Sequence, residues 1–358
     1  MQPKATEKGN ILQQYPALDA FKLFFAACVV AIHTYAAQGL PENVSFWLGQ
    51  GVFRLAVPFF FIASGFMLGR KLPSRDESPA AAIGQYTKKL LLPLLCLGAA
   101  NGVLELFLQH LRTGTGFASA ARQFFKHLVF YPYGAMWYVQ ACIVGALLLY
   151  PFLKRKKLNL ALAVGALLYG WALLCNNYYF LAQSLGIAPW VERYMALFIS
   201  GRNGLFVGFF WLALGIKTFE LYQKGPNPQR LRWTLLLAAI LYGVEIYLLR
   251  GQRYLDDRAL YIVQTALVPL LFLNVLTIPL PASRGASLSM RRAATWLYFS
   301  HRLVYVLGRI AWFEAFKTDW RGAGAFLAVT ALSLAAFAAV QSRRIKAGKE
   351  GSHVPPQR

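Results

Sequence analysis

Long apolar runs alternate with short polar clusters along almost the whole chain. Runs of roughly 17–25 apolar residues have the length at which an α-helix crosses the hydrocarbon core of a bilayer. Ten are centred near Ala27, Phe60, Cys96, Ile143, Ala166, Phe206, Ala239, Leu270, Tyr305 and Leu332. They predict an all-α, polytopic membrane bundle of about ten transmembrane helices. The polar clusters predict its orientation. If the N-terminus is cytoplasmic, the inner segments hold Arg70, Lys71, Arg75, Lys88 and Lys89, the KRKK run at 154–157, Lys217, Lys224, Arg230, Arg232, Arg284, Arg291 and Arg292, and Arg343, Arg344, Lys346 and Lys349. The opposite loops hold far fewer, chiefly Arg112, Arg122, Lys126, Arg193, Arg250, Arg253, Arg258, Lys317 and Arg321. The positive-inside rule therefore places both termini in the cytoplasm. The expected organisation is a tail over 1–15, one membrane domain over 16–342 and a basic tail over 343–358. No small-residue cleavage site follows the first apolar run, which reads as a retained helix, and no soluble domain is expected.

Composition agrees with this pattern. Hydrophobic residues make up 57% and charged residues 14% of 358, and the mean hydropathy is +0.44, too apolar for a soluble chain of this size. A net charge of +23 would suggest a nucleic-acid partner in a soluble protein. Here it lies between apolar segments, where topology and attraction to anionic membrane lipid account for it, and no nucleic acid is expected. Cys28, Cys96, Cys142 and Cys175 all fall inside predicted spans without a C-x-x-C pair. Neither a disulfide framework nor a metal site is indicated.

Ionisable groups inside apolar helices carry a desolvation cost and mark candidate function. The first run, LDAFKLFFAACVVAIHTY, contains Asp19, Lys22 and His33. Eleven residues separate Lys22 from His33, about three turns, so they share one face roughly 16 Å apart along the axis. Asp19 can pair with Lys22 at the inner end, and both can also serve as interfacial anchors. The second helix brings Arg54, then Pro58 and Ser64. The sixth opens with Arg202 and Asn203, at a depth comparable to Arg54 and His33. The ninth carries His301, Arg302 and Arg309, with His301 either packed against a neighbour or functional. Glu105 and Glu245 can balance the arginines or orient a histidine. The aromatic group YPYGAMWYV, Tyr131 to Val139, reads as an interfacial belt, although such rings also stack on sugars. These residues outline a polar cavity opening outward above a basic inner face. A proton-coupled transporter and a transmembrane acyl transferase both fit it.

Five stretches then add a resemblance. Asp19-Ala20-Phe21-Lys22 followed by His33 resembles the first-helix signature of the acyltransferase family 3 membrane proteins. VPFFFIASGFML at 57–68 resembles that family's second-helix motif, MWYVQACIVGALLLYPFL at 136–153 its fourth helix, RNGLFVGFFWLALG at 202–215 a segment of one branch, and WLYFSHRLV at 296–304 its late Tyr-x-x-His motif. The resemblance implies transfer of an acyl group, most often acetyl, from cytoplasmic acyl-coenzyme A to a hydroxyl of a glycan or other acceptor at the outer face. It makes His33 the catalytic histidine and Lys22 its basic partner, with Asp19 in the same signature. A neutral histidine can take the proton of a hydroxyl as it attacks the thioester, or can itself become acylated. Arg54 or Arg202 can stabilise the oxyanion or hold an acidic acceptor. Ser64, Trp137, Asn203 and His301 complete the candidate substrate-binding set. Lys22, Lys88 and Lys89 are the candidates for the donor's phosphates, in YTKKLLLPLL where many members carry arginines spaced three apart. The expected protein is an O-acetyltransferase of the bacterial inner membrane acting on an envelope or exported polysaccharide. The alternative is a small-solute transporter, because the membrane half of the vancomycin-resistance serine racemases is similar to this family and is associated with serine uptake.

Overall fold

The computed structural model describes residues 15–72, 78–114 and 116–350. Arg75 and the tail positions 1–14 and 351–358 lie outside the described residues, as do the side chains of 344–350. In chain order the helices are α1 (Pro16–Thr34), α2 (Glu42–Lys71), α3 (Pro79–Thr113), α4 (Phe117–Phe130), α5 (Met136–Lys154), α6 (Leu158–Leu174), α7 (Tyr179–Ser184), α8 (Ala188–Phe198), α9 (Gly204–Gln223), α10 (Pro228–Leu248), α11 (Gln264–Thr277), α12 (Arg284–Phe316) and α13 (Ala323–Glu350). No strand occurs among the described residues.

Local chemistry explains where several helices begin. Pro16, Pro79 and Pro228 stand in the first turns of α1, α3 and α10, where a missing N–H costs nothing. The Asn227 side chain accepts from the backbone N–H of Gln229 at 2.9 Å and Arg230 at 3.1 Å. Ser78 and Ser283 cap α3 and α12 in the same way. α1 stops at Tyr35, whose φ of 56° is left-handed.

A helix stands at each of the ten expected centres. Seven are long and apolar enough to cross a membrane. α6 and α11 are apolar but shorter, and α12 interrupts its apolar face with Arg291, Arg292, Arg302 and Arg309. The segments expected only as outer loops contain α4, α7 and α8 as well. α4 and α8 are amphipathic and too short to span, so a search for long apolar runs passes over them. α13 continues to Glu350, past the boundary expected at 343.

α9 is the axial element, with Phe209, Phe210, Trp211, Leu212 and Ala213 all buried, packed on α2, α5, α6 and α11. Lipid tails are as apolar as leucine, so backbone proximity and polar pairs must hold such helices together. At the α2–α9 crossing a Cβ on Gly65 would lie 2.3 Å from the Leu212 carbonyl oxygen, and one on Gly215 would lie 2.7 Å from that of Ile62. α3 and α13 stand at the rim and expose Leu92, Val103, Leu327 and Leu332, as lipid-facing surfaces do.

Candidate active site

A cavity of about 890 Å³ opens at the end of the bundle where α1 finishes and α2 starts. Its walls include His33 from α1, Arg54 from α2, Tyr131 and Trp137 before and within α5, Arg202 ahead of α9, Asp256 and Asp257 from the α10–α11 connection, Arg302 and Arg309 from α12, and Arg321 beyond it. Two of the elements that shape it depart from α-helical winding: residues Trp47–Val52 and Gly204–Gly208 form π-type turns. Such turns re-aim the following side chains and are frequent at functional sites.

One wall is charge-balanced. Arg202 donates from Nε and Nη2 to Asp256 at 3.2 and 3.3 Å and from Nη1 to Asp257 at 3.0 Å. Arg54 reaches the same Asp257 oxygen at 3.2 Å. Burial alone would push the Asp257 carboxyl up, but Arg202 and Arg54, together with the Asn176 amide, outweigh it and hold it below the usual carboxylate range. The guanidinium carbon of Arg202 also lies 5.3 Å from the Trp137 ring centre and 5.5 Å from that of Tyr131. Those two rings stack on each other at 5.7 Å and 14°. Trp137 is 7% exposed and both rings line the cavity, so Tyr131 and Trp137 stand in its wall and not in an interfacial belt.

The facing wall is cationic. Arg302 pairs with Glu105, and Arg309 bridges Glu105 at 3.5 Å and Asp319 at 3.6 Å. Arg112 and Arg321 share Asp319 as well. Glu105 thus balances arginines, one of the two roles expected of it. Glu245 does neither. Its carboxylate accepts from the Tyr178 hydroxyl and from the backbone N–H groups of Ile262 at 2.6 Å and Val263 at 2.9 Å, capping the start of α11.

His33 and His301 meet between these walls, stacked with ring centres 5.3 Å apart at 29°. Nδ1 of His301 faces the carbonyl oxygens of Tyr298 at 2.7 Å and Leu297 at 3.1 Å. Carbonyls only accept, so Nδ1 carries a proton. Nε2 of His301 is buried without a partner among the described residues. His33 makes no hydrogen bond among the described residues, which leaves its ring free for whatever enters the cavity. It lines the cavity; His301 backs it, fully buried.

Other candidates are placed elsewhere. Asp19 is 1% exposed and is held by Ser287 at 2.6 Å and by Arg291 at 2.9 and 3.0 Å. Its hydrogen-bonding partners are therefore on α12, not Lys22, because the carboxylate turns inward while the lysine stays half-buried. Ser64 shares a hydrogen bond with the Tyr138 hydroxyl at 3.1 Å and does not line the cavity. Asn203 caps α9, accepting from Leu205 at 3.0 Å and Phe206 at 3.2 Å while donating to the Tyr194 hydroxyl at 2.7 Å. Lys88 and Lys89 are exposed on α3, and neither they nor Lys22 line the cavity. Sequence reasoning missed Asp256 and Asp257. The available sign was two adjacent acids in a chain with 14 acidic and 37 basic side chains.

Comparison with known proteins matches the acyltransferase domain family over residues 15–340. The chain belongs to this acyltransferase family, and its apolar helices make it a multi-pass membrane protein. An amino-acid racemase of Enterococcus faecalis is 26% identical over 307 residues, 81% of this chain and 41% of that protein. A serine/alanine racemase of Enterococcus gallinarum is 27% identical over 231 residues, 64% of this chain and 32% of that protein. The chain thus spans less than half the length of the curated relatives it matches. No solved structure matches it.

Proposed function

We propose that this protein transfers an acyl group, most simply acetyl, from cytoplasmic acyl-coenzyme A to a hydroxyl of a glycan that enters the cavity from outside the cell. The observation that carries the reading is His33, a ring with no hydrogen bond among the described residues, in the wall of the large cavity and backed by His301. The basic clusters 154–157, Arg230, Arg232 and Arg284 lie at the opposite end of the bundle, which supports cytoplasmic termini and an outward cavity; the membrane proposed is the bacterial plasma membrane. The family match over 15–340 supports one membrane domain over about the expected 16–342.

In this reading His33 accepts the proton of the acceptor hydroxyl as its oxygen attacks the thioester carbonyl. The carbon–sulfur bond then breaks, and the departing thiolate takes the proton to leave as free coenzyme A. In this reading Arg302, together with Arg202, offsets charge on the oxyanion. Trp137 and Tyr131 offer a stacking face to a sugar ring. Lys22, half-buried on the same helix as His33, and the exposed Lys88 and Lys89 remain the proposed contacts for donor phosphates. Asp19 is assigned to hold α1 against α12 and not to touch substrate.

The test is release of free thiol from acetyl-coenzyme A by purified protein in nanodiscs with mixed glycan acceptors, comparing wild type with His33→Ala. Release that disappears in a folded His33→Ala variant supports the reading. Radiolabel retained on the protein without acceptor would identify the acyl-histidine route. A protein that neither consumes acyl-coenzyme A nor binds it, yet accumulates serine in proteoliposomes, would overturn the reading in favour of transport.

A further inference from the structure

The two walls of the cavity differ in charge. On the α9 side, Arg54 and Arg202 face Asp256 and Asp257, two cations against two anions. On the α12 side, Arg112, Arg302, Arg309 and Arg321 share only Glu105 and Asp319, four cations against two anions, for a formal charge of +2. Arg302, Arg309 and Arg321 line the cavity, whereas both counter-carboxylates and Arg112 do not. The excess positive charge therefore faces the open volume. Donor capacity is also left over: a guanidinium has five N–H donors, and among the described residues Arg302 meets a carboxylate through one nitrogen and Arg309 through two, while their Nε atoms, like that of Arg54, are buried away from the open volume. The arginines are held in place by aromatic rings: Arg302 and Arg309 lie 5.6 and 5.5 Å from the Tyr305 ring centre, and Arg321 lies 5.0 Å from that of Tyr35.

Preorganised guanidiniums with unused donors in a partly dehydrated pocket match the planar or tetrahedral oxygens of a carboxylate or phosphate. We propose that the acceptor is an anionic glycan, whose carboxylate or phosphate seats on the Arg302–Arg309–Arg321 wall while a hydroxyl of the same unit meets His33. This inference rests on the acyl-transfer reading for the identity of the ligand as acceptor. The volume of about 890 Å³ is at the upper part of the range of roughly 300–1,000 Å³ typical of ligand pockets. The Arg321 side chain, 41% exposed, stands at the mouth, where it would meet the anion first.

The experiment measures binding of D-glucuronate, glucose 1-phosphate and glucose to the full chain in nanodiscs of neutral lipid, with no acyl donor present. The expected result is that at least one anionic sugar binds about tenfold or more tightly than glucose. Its affinity should fall with added salt and by about tenfold in Arg321→Gln, while Arg321→Lys retains much of it. Glucuronate ahead of the phosphate assigns a uronic-acid acceptor; the reverse assigns a phosphorylated one. Equal binding of glucose and both anions, no anion binding up to about 10 mM, or an unaltered affinity in Arg321→Gln would overturn the proposal. Because Arg321 is at the surface, its variants are expected to fold; Arg309→Gln provides a second, buried variant. Anion selectivity with no thiol release would keep the anion-binding wall but remove the acyl-transfer reading and with it the ligand's role as acceptor, whereas thiol release with neutral glycans and no anion selectivity would overturn this proposal alone.

Discussion

Replacing Asp19 or Arg291 should destabilise the protein by unequal amounts, and the inequality follows from burial. The Asp19 carboxylate is 1% exposed, whereas the Arg291 side chain is 43% exposed. The pair makes two parallel hydrogen bonds at 2.9 and 3.0 Å, and Ser287 adds a third to the carboxylate at 2.6 Å. Charge-assisted bonds of this kind contribute about 1.5–3 kcal/mol each. Asp19→Asn keeps the volume and an acceptor oxygen and leaves a guanidinium that can turn to water, so we expect a loss of about 2 kcal/mol. Arg291→Gln instead leaves a buried carboxylate with the Ser287 hydroxyl and only the Lys22 charge on its own helix to offset it, for which about 3 kcal/mol is expected. Removing both charges in Asp19→Asn/Arg291→Gln should cost less than Arg291→Gln alone. Heating nanodisc samples and following the monodisperse fraction by size exclusion ranks the three variants. An Asp19→Asn variant as unstable as Arg291→Gln, or strictly additive effects, would refute the argument. The same samples test the role of Asp19. Thiol release should track the folded fraction, whereas a loss of about 100-fold or more at unchanged stability, the scale of a lost acid or base, would make Asp19 a catalytic residue.

Two further outcomes follow from packing and charge. Gly65→Ala would drive a methyl group into the Leu212 carbonyl and Gly215 Cα, 2.3 and 2.8 Å away, and should cost about 1–3 kcal/mol by forcing α2 from α9; unchanged thermal stability would show that the crossing is looser than described. Asp319, in the α12–α13 connection, has its carboxyl held below the usual range: burial opposes this, but Arg112, Arg321 and Arg309 outweigh it. A lowered folded value means the stabilisation is present above an unfolded value of about 3.9 and is lost as pH falls through the folded one. Asp319→Asn should therefore melt below wild type at pH 7, with the gap closing towards pH 3; a gap independent of pH would contradict that linkage.

The helices were legible because each is settled locally. A run of apolar side chains with its own backbone hydrogen bonds is the main solution open to a single segment in lipid, so Ala27, Phe60 or Leu332 announces a helix without reference to the rest of the chain. His33 and the arginines were legible for a related reason: a charge or an imidazole within such a run requires a partner wherever that partner lies. The partners themselves were not. Asp19 meets Arg291 across 272 positions, Arg302 meets Glu105 across 197, and Arg202 meets Asp256 across 54, separations that carry no periodic trace. The sequence left Trp137 open between a membrane belt and a substrate contact and made Asn203 a substrate contact; their surroundings made one a cavity wall and the other a helix cap. The sequence by itself thus determined which segments are helical and which side chains could not be left unpaired, because both are set by transfer out of water one segment at a time. The folded arrangement alone decided which charges cancel and which wall stays positive, because that depends on distances between helices brought together only by close packing such as Gly65 against Gly215.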